Sequence, residues 1–96
     1  MIDGVKITPR DIITDERGMI IKMLRNDDDI FTEFGEIYFS TINPGVVKGW
    51  HIHEKMTLNY SLITGKIKLV LYDDRDGSPT NGEVQEIFMG RENYCL

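Results

Sequence analysis

Short apolar runs of period two, parted by turn residues, leave this chain few folds to choose from. From Glu36 onward Ile37, Phe39 and Thr41 alternate with Tyr38, Ser40 and Ile42 until Asn43-Pro44-Gly45 ends the run. That spacing predicts a strand with two different faces. A second apolar stretch runs through Val46 and Val47 to Trp50 and Ile52, a third from Leu58 to Ile63, and Lys66 to Tyr72 alternates again. Gly65 between two β-rich runs reads as a hairpin turn, because glycine reaches positive φ at little cost. Asp73 to Gly82, rich in Gly, Asp and Asn, reads as a longer loop before Glu83 to Met89. Near the start, Met19 to Leu24 reads as a strand after the turn Asp15-Glu16-Arg17-Gly18, and only Asp28 to Phe34 has a weakly helical pattern. Evenly spaced strands of this kind predict a mostly β fold, a small antiparallel barrel or sandwich. Glu92 to Leu96 reads as the start of one more strand, so the barrel is expected to be C-terminally incomplete.

Length and charge narrow the classes of function. Ninety-six residues suit one domain, residues 1–96, with a small core. Eleven Lys and Arg against 16 Asp and Glu give a net charge of −5, a field that opposes polyanions, so nucleic acid is not an expected partner. The longest charge-free window, between Glu36 and Lys48, is interrupted by polar and turn residues and falls short of the roughly 20 apolar residues of a bilayer span. Met1 to Arg10 holds Asp3, Lys6 and Arg10 and has no apolar h-region, and the single cysteine, Cys95, suits a reducing compartment. The expectation is a cytoplasmic protein with no membrane partner.

His51 and His53 stand two apart in what reads as a strand, so a pleat would point both imidazoles to one face. Neutral imidazole ligates metals, and it also titrates near pH 6.5, which suits proton transfer. The same spacing serves both roles, and it equally serves two histidines on a sheet rim.

Gly45, five residues, His51, one residue, His53 and then a gap to Gly65 resemble the first cupin motif. Its glutamate position falls on Leu58, and two nitrogen ligands without a carboxylate form a poor set for zinc, manganese or iron, so no metal is expected. Asp15-Glu16-Arg17-Gly18 is similar to an early motif of the dTDP-4-dehydrorhamnose 3,5-epimerases, and Lys48-Gly49-Trp50-His51 resembles their Arg-Gly-Leu-His. Asp74-Arg75, then Ser78-Pro79-Thr80 and Gly82, look like that family's Asp-x-Arg followed by Ser-Pro-Thr-x-Gly. Glu92-Asn93 with Leu96 look like its step into the next strand, and the likeness covers most of residues 15–96. Gly49-Trp50-His51-Ile52-His53-Glu54-Lys55 is also similar to the Gly-x-His-Ala-His-Lys of the dTDP-4-keto-6-deoxyglucose 3,4-ketoisomerases.

The resemblance implies a cupin-like (jelly-roll) barrel and an isomerase or epimerase for a dTDP-linked 4-keto-6-deoxy sugar, working without a cofactor. It makes His51 the catalytic base and Arg17 a substrate-binding arginine. Lys48 stands where the family usually has a substrate-contacting arginine, keeping the charge but not the bidentate fork. The acid tyrosine and the histidine-orienting aspartate of the epimerases fall beyond the position of Leu96. Removing a proton next to a ketone needs a base titrating near the working pH, a donor for the enolate oxygen and an acid to return the proton. His51 suits the base, His53 a same-face shuttle, and Lys48 or Tyr38 the oxygen donor; Tyr60 and Tyr72 are the acid candidates for an opposite face. Arg17, Lys22 and Arg25 suit either a diphosphate or the solvated surface, and Trp50 and Tyr38 either a stacked thymine or the core. The alternative function is a non-catalytic cupin module that binds a sugar, a nucleotide or a metal.

Related cupins pair as dimers, and an unpaired edge at Glu92 to Leu96 would be satisfied by a second copy. The expected partners are therefore a nucleotide sugar and a homodimer mate, with N-terminal strands Met1 to Leu24 exchanged. A far-ultraviolet circular dichroism spectrum is expected to be low in helix, and one dominated by helix would overturn the cupin-like expectation.

Overall fold

The computed structural model describes residues 1–96, and every regular strand in it is antiparallel. Four strands run in the order β1 (Ile12–Asp15), β2 (Gly18–Ile21), β3 (Ile67–Tyr72) and β4 (Val84–Met89), followed by a 3-10 turn at Arg91–Asn93. They form two two-stranded sheets, β1 with β2 and β3 with β4. No helix is long and apolar enough to cross a membrane. The chain divides into two compact units, Met1–Leu24 with Asn59–Leu96, and Arg25–Leu58.

In the first unit, β1 and β2 are joined by Glu16 and Arg17, with Asp15 facing Gly18 and Ile12 facing Ile21. Neither turn residue takes positive φ, so the mirror-image turns common in two-residue hairpins are not used. Gly18, at φ +146°, supplies the conformation that an L side chain resists. β3 and β4 pair from Ile67 facing Met89 to Tyr72 facing Val84. Facing pairs share a side of the sheet. Ile67, Leu69 and Leu71 therefore lie with Met89, Ile87 and Gln85 on the better-buried face, and Lys68, Val70 and Tyr72 lie with Phe88, Glu86 and Val84 on the other. Lys68 Nζ reaches Glu86 Oε1 at 3.5 Å on that outer face.

The loop between β3 and β4 is organised by one carboxylate. Asp73 has a fully buried side chain. Its Oδ1 accepts from the Arg75 backbone N–H at 3.1 Å and from Arg75 Nε at 2.8 Å, while Oδ2 accepts from Arg75 Nη2 at 2.9 Å and from Ser78 Oγ and Thr80 Oγ1, each at 2.6 Å. The backbone closes the same loop: Asp73 N–H donates to Glu83 O at 3.0 Å and Gly82 N–H to Asp73 O at 2.7 Å. Arg75 and Thr80 then carry the network to the N-terminus. Arg75 Nη2 donates to Asp3 O at 2.7 Å, and Asp3 N–H donates to Thr80 Oγ1 at 3.0 Å. Ile2, buried beside them, donates its N–H to Gln85 Oε1 at 3.0 Å.

Several expectations change on the structure. Glu92 to Leu96 does not open a free strand: after the 3-10 turn, Pro9 bridges Cys95, and Thr8 and Leu96 exchange both N–H···O bonds at 2.9 Å. Tyr94, Cys95 and Leu96 are buried there, and the Tyr94 hydroxyl donates to Lys22 O at 2.6 Å and accepts from Ser61 Oγ at 2.7 Å. The edge anticipated as open is thus paired within the chain. Leu58 to Ile63 is not a strand, so Gly65 closes no hairpin there; β3 pairs forward with β4 across Asp73–Glu83 instead. The buried, saturated Asp73 makes that pairing self-consistent, whereas Leu58 to Ile63 supplies no ladder partner.

In the second unit, Asp28 to Phe34 is a turn through Ile30 followed by irregular chain rather than helix, and Glu36 to Ile42 carries no ladder. Its backbone bonds close turns: Asp28 N–H to Arg25 O, Phe31 N–H to Asp28 O, and Val46 N–H to Asn43 O. Period two describes where side chains would point, but a strand exists only where a neighbour satisfies its amides. Phe39 and Val47, 90% and 93% exposed, are accordingly unburied despite their apolar pattern.

The bonds to Asp73 hold its carboxyl far below the usual carboxylate range, first through Arg75 and then through Ser78 and Thr80, against a smaller opposing effect of burial. The unfolded chain therefore binds this proton at higher pH than the folded one, and stability rises with pH through that window. The contribution is complete above about pH 4, the ordinary aspartate value, and is lost progressively below it. Asp73→Asn is expected to lower the melting temperature at pH 7 by about 5–10 °C and to flatten the acid limb of stability below about pH 4. Thermal unfolding at a series of pH values checks both.

Candidate active site

Arg17 sits at the tip of the β1–β2 hairpin, in the first unit, where its guanidinium folds back onto Asp15. Nη2 donates to Asp15 Oδ2 at 2.6 Å and Nε to the same oxygen at 3.3 Å, while the Arg17 backbone N–H donates to Oδ1 at 2.8 Å. This is the arrangement of an aspartate closing a turn over the residue two positions on. The pair holds the Asp15 carboxyl below its ordinary value, through the Arg17 side chain first and its backbone N–H second.

Tyr38, Lys48, His51 and His53 all belong to the second unit and are exposed. Lys48 Nζ donates to Ser40 Oγ at 3.3 Å and to the Thr41 carbonyl, bridging the two arms that flank the Asn43-Pro44-Gly45 turn. The Gly49–Trp50 peptide bond is cis. Residues 51–53 are not in a strand, so the pleat argument that would set both imidazoles on one face does not apply here. Trp50, 72% exposed, and Tyr38 are not core residues. Tyr60 and Tyr72, the acid candidates, are each about half exposed in the first unit. Met89 is buried, whereas Met19 and Met56 are about half exposed.

Lys22 joins the chain's framework through its backbone, accepting from Tyr94 and donating its N–H to Asp11 O at 2.9 Å. The Arg25 guanidinium is held by Asp27, with Nε at 2.8 Å from Oδ1 and Nη2 at 3.0 Å from Oδ2. No three or more His, Cys, Asp or Glu side chains come together as a metal-binding group. An open cleft of about 700 Å³ in the first unit, lined by Ile7, Ile12, Phe88, Arg91 and Tyr94 among others, includes none of the candidate catalytic or substrate-binding residues His51, His53, Arg17, Lys48 and Tyr38.

Two side chains with consequences for this chemistry escaped the sequence reading. Ser40 was a strand residue there, yet it accepts from Lys48 across the turn. Asp15 was one letter of a turn motif, yet it fixes the guanidinium; an aspartate two residues before an arginine in a tight turn is the signal that points to it.

The antiparallel strands and the turns that join them define a mostly β protein of cupin-like character. The chain belongs to the dTDP-4-dehydrorhamnose 3,5-epimerase family, whose sequence model matches residues 1–95. It is 39% identical over 96 residues to the spore coat polysaccharide biosynthesis protein SpsL of Bacillus subtilis, covering all of this chain and 64% of that protein. It is 33% identical over 94 residues to the probable low-salt glycan biosynthesis epimerase Agl13 of Haloferax volcanii, covering 96% of this chain and 60% of the relative. A 78-residue match at 32% identity covers 77% of this chain and 20% of a UDP-2-acetamido-2,6-beta-L-arabino-hexul-4-ose reductase of Pseudomonas aeruginosa. The chain thus spans somewhat less than two thirds of the length of the first two relatives. No solved structure matches it significantly.

Replacing Arg17 with Gln is expected to release the Asp15 carboxyl, raising its titration midpoint toward the ordinary aspartate value of about 3.9. Carbon-detected NMR titration of the aspartate carboxyls in the two proteins checks the shift.

Proposed function

We propose that the protein acts in nucleotide-sugar metabolism, on a dTDP-linked 4-keto-6-deoxy sugar, by proton transfer next to the ketone. The observation that carries this reading is the family match over residues 1–95; within it, His51 occupies the position that the resemblance gives to the base. The printed names of two relatives, one in spore coat polysaccharide biosynthesis and one in glycan biosynthesis, support a role in supplying sugars for polymers.

In this reading His51 takes the proton from the carbon beside the ketone, and the electron pair moves onto the carbonyl oxygen as an enolate. Lys48 or Tyr38 stabilises that oxygen, and Arg17 binds the diphosphate. Lysine meets the oxygen as a point charge rather than as a fork. If His53 returns the proton to the former carbonyl carbon on the same face, while the hydroxyl proton of the carbon that lost it passes to the enolate oxygen, the outcome is a 3,4-ketoisomerisation. If His51 keeps that proton and a separate acid delivers its own to the same carbon from the opposite face, the outcome is an epimerisation. A homodimer belongs to the proposal on the strength of the resemblance, since Tyr94 to Leu96 already pair with Thr8 and Arg10 within one chain.

A second reading, a non-catalytic sugar or nucleotide binding module, draws on the exposure of His51 and His53. A base buried beside an orienting partner is better tuned than one in open solvent. The two readings separate in heavy water. With a dTDP-4-keto-6-deoxy sugar, the enzyme reading expects deuterium to enter beside the ketone, and His51→Ala to reduce its entry by at least about a hundredfold while binding changes little. Binding without deuterium entry in the unaltered protein would establish the module instead. His53→Ala then divides the enzyme reading: loss of exchange indicates a shuttle, and little change indicates a single base.

A further inference from the structure

The hairpin tip presents its arginine in a defined way. Asp15 Oδ2 receives both Nε and Nη2 of Arg17, at 3.3 and 2.6 Å, and so occupies one edge of the guanidinium. The opposite fork, Nη1 with the second hydrogen of Nη2, is left for an external acceptor, and the side chain is 85% exposed. An ion pair this exposed adds little to stability, so its consequence is geometric.

We infer that Asp15 is the positioning residue for Arg17, holding the guanidinium by one edge so that the other meets the diphosphate of a nucleotide sugar. The inference rests on the reading of Arg17 as a substrate-binding arginine. An arginine on a free turn samples many rotamers and must be ordered when ligand binds, a cost equivalent to about a two- to tenfold loss of affinity. Asp15 meets much of that cost before the ligand arrives. The carboxylate also repels a diphosphate, but the guanidinium charge between them opposes that repulsion and at 85% exposure water weakens it, whereas the orientation persists. The register supports the assignment: Asp15 is the last residue of β1 and faces Gly18, so its backbone is fixed by the ladder while Arg17 projects from the turn. A purely structural Asp15 would serve only to accept the Arg17 backbone N–H at 2.8 Å. Asparagine retains that acceptor and loses the charged hold on the guanidinium, so Asp15→Asn distinguishes the two roles.

The test is dTDP binding by calorimetry to the full chain and to Asp15→Asn, Arg17→Gln and the double variant, with melting temperature and the Arg17 Nε–Hε NMR signal as independent readouts. Asp15→Asn should weaken dTDP about fivefold, leave the melting temperature nearly unchanged and speed the exchange of the Nε–H proton relative to the unaltered protein. The double variant should bind no more weakly than Arg17→Gln alone, because Asp15 acts through Arg17. Equal or tighter binding by Asp15→Asn while Arg17→Gln weakens would overturn the positioning role and leave the Arg17 reading intact, as would additive losses in the double variant. No dTDP binding by the unaltered protein, or no effect of Arg17→Gln, would overturn the Arg17 reading and this inference with it.

Discussion

A buried carboxylate is the constraint around which the first unit is arranged. Removing the charge of Asp73 from water is costly unless every lone pair finds a donor. Arg75, Ser78 and Thr80 meet that demand from within seven residues of chain. Because the donors come from one loop, satisfying the carboxylate shapes the loop, and shaping the loop sets β3 against β4 in register. The same donors then reach outward: Arg75 and Thr80 hold Asp3 and so bring the N-terminus against the β4 hairpin. What resembles a signature motif at the level of letters is, physically, a way of neutralising one charge out of water.

The second unit obeys a different balance. Arg25–Leu58 holds both histidines, Lys48, Tyr38 and Trp50, yet its backbone bonds are those of turns. Proton transfer beside a ketone depends on donors aimed at a developing charge and on exclusion of water. The side chains carrying the proposed chemistry therefore belong to the part of the chain with the least hydrogen-bonded backbone. Lys48 is the exception, since Ser40 and the Thr41 carbonyl hold its ammonium in place. Arg17 and Lys48 share a design in this respect: each cation is held by a short-range partner across a turn.

Turns and strong local patterns were readable in advance because they depend on few residues. Asp15 to Gly18, the loop Asp73 to Gly82 and the alternating run Lys66 to Tyr72 fall where the sequence places them, since glycine, aspartate and period two act locally. The family resemblance was readable for the same reason, being a matter of letters at fixed spacing. Glu36 to Ile42 and Leu58 to Ile63 have equally good patterns and are not strands, and Asp28 to Phe34 is not a helix. In these segments the pattern specifies a face, but a face without a neighbour has neither a ladder nor a burial gain to hold it.

The sequence by itself determined the β character of the chain, its turn at Asp15 to Gly18 and its loop at Asp73 to Gly82, and the residue types available for acid–base chemistry at His51 and His53, because each follows from side-chain chemistry and nearest-neighbour geometry. Only the tertiary structure decided that β3 pairs with β4 rather than with the run before Gly65, and that Tyr94 to Leu96 close against Thr8 and Arg10. Those outcomes turn on which donors meet which acceptors across dozens of residues. Loop closure allows many such pairings at similar entropic cost, and only the complete set of buried polar groups, satisfied together, selects one.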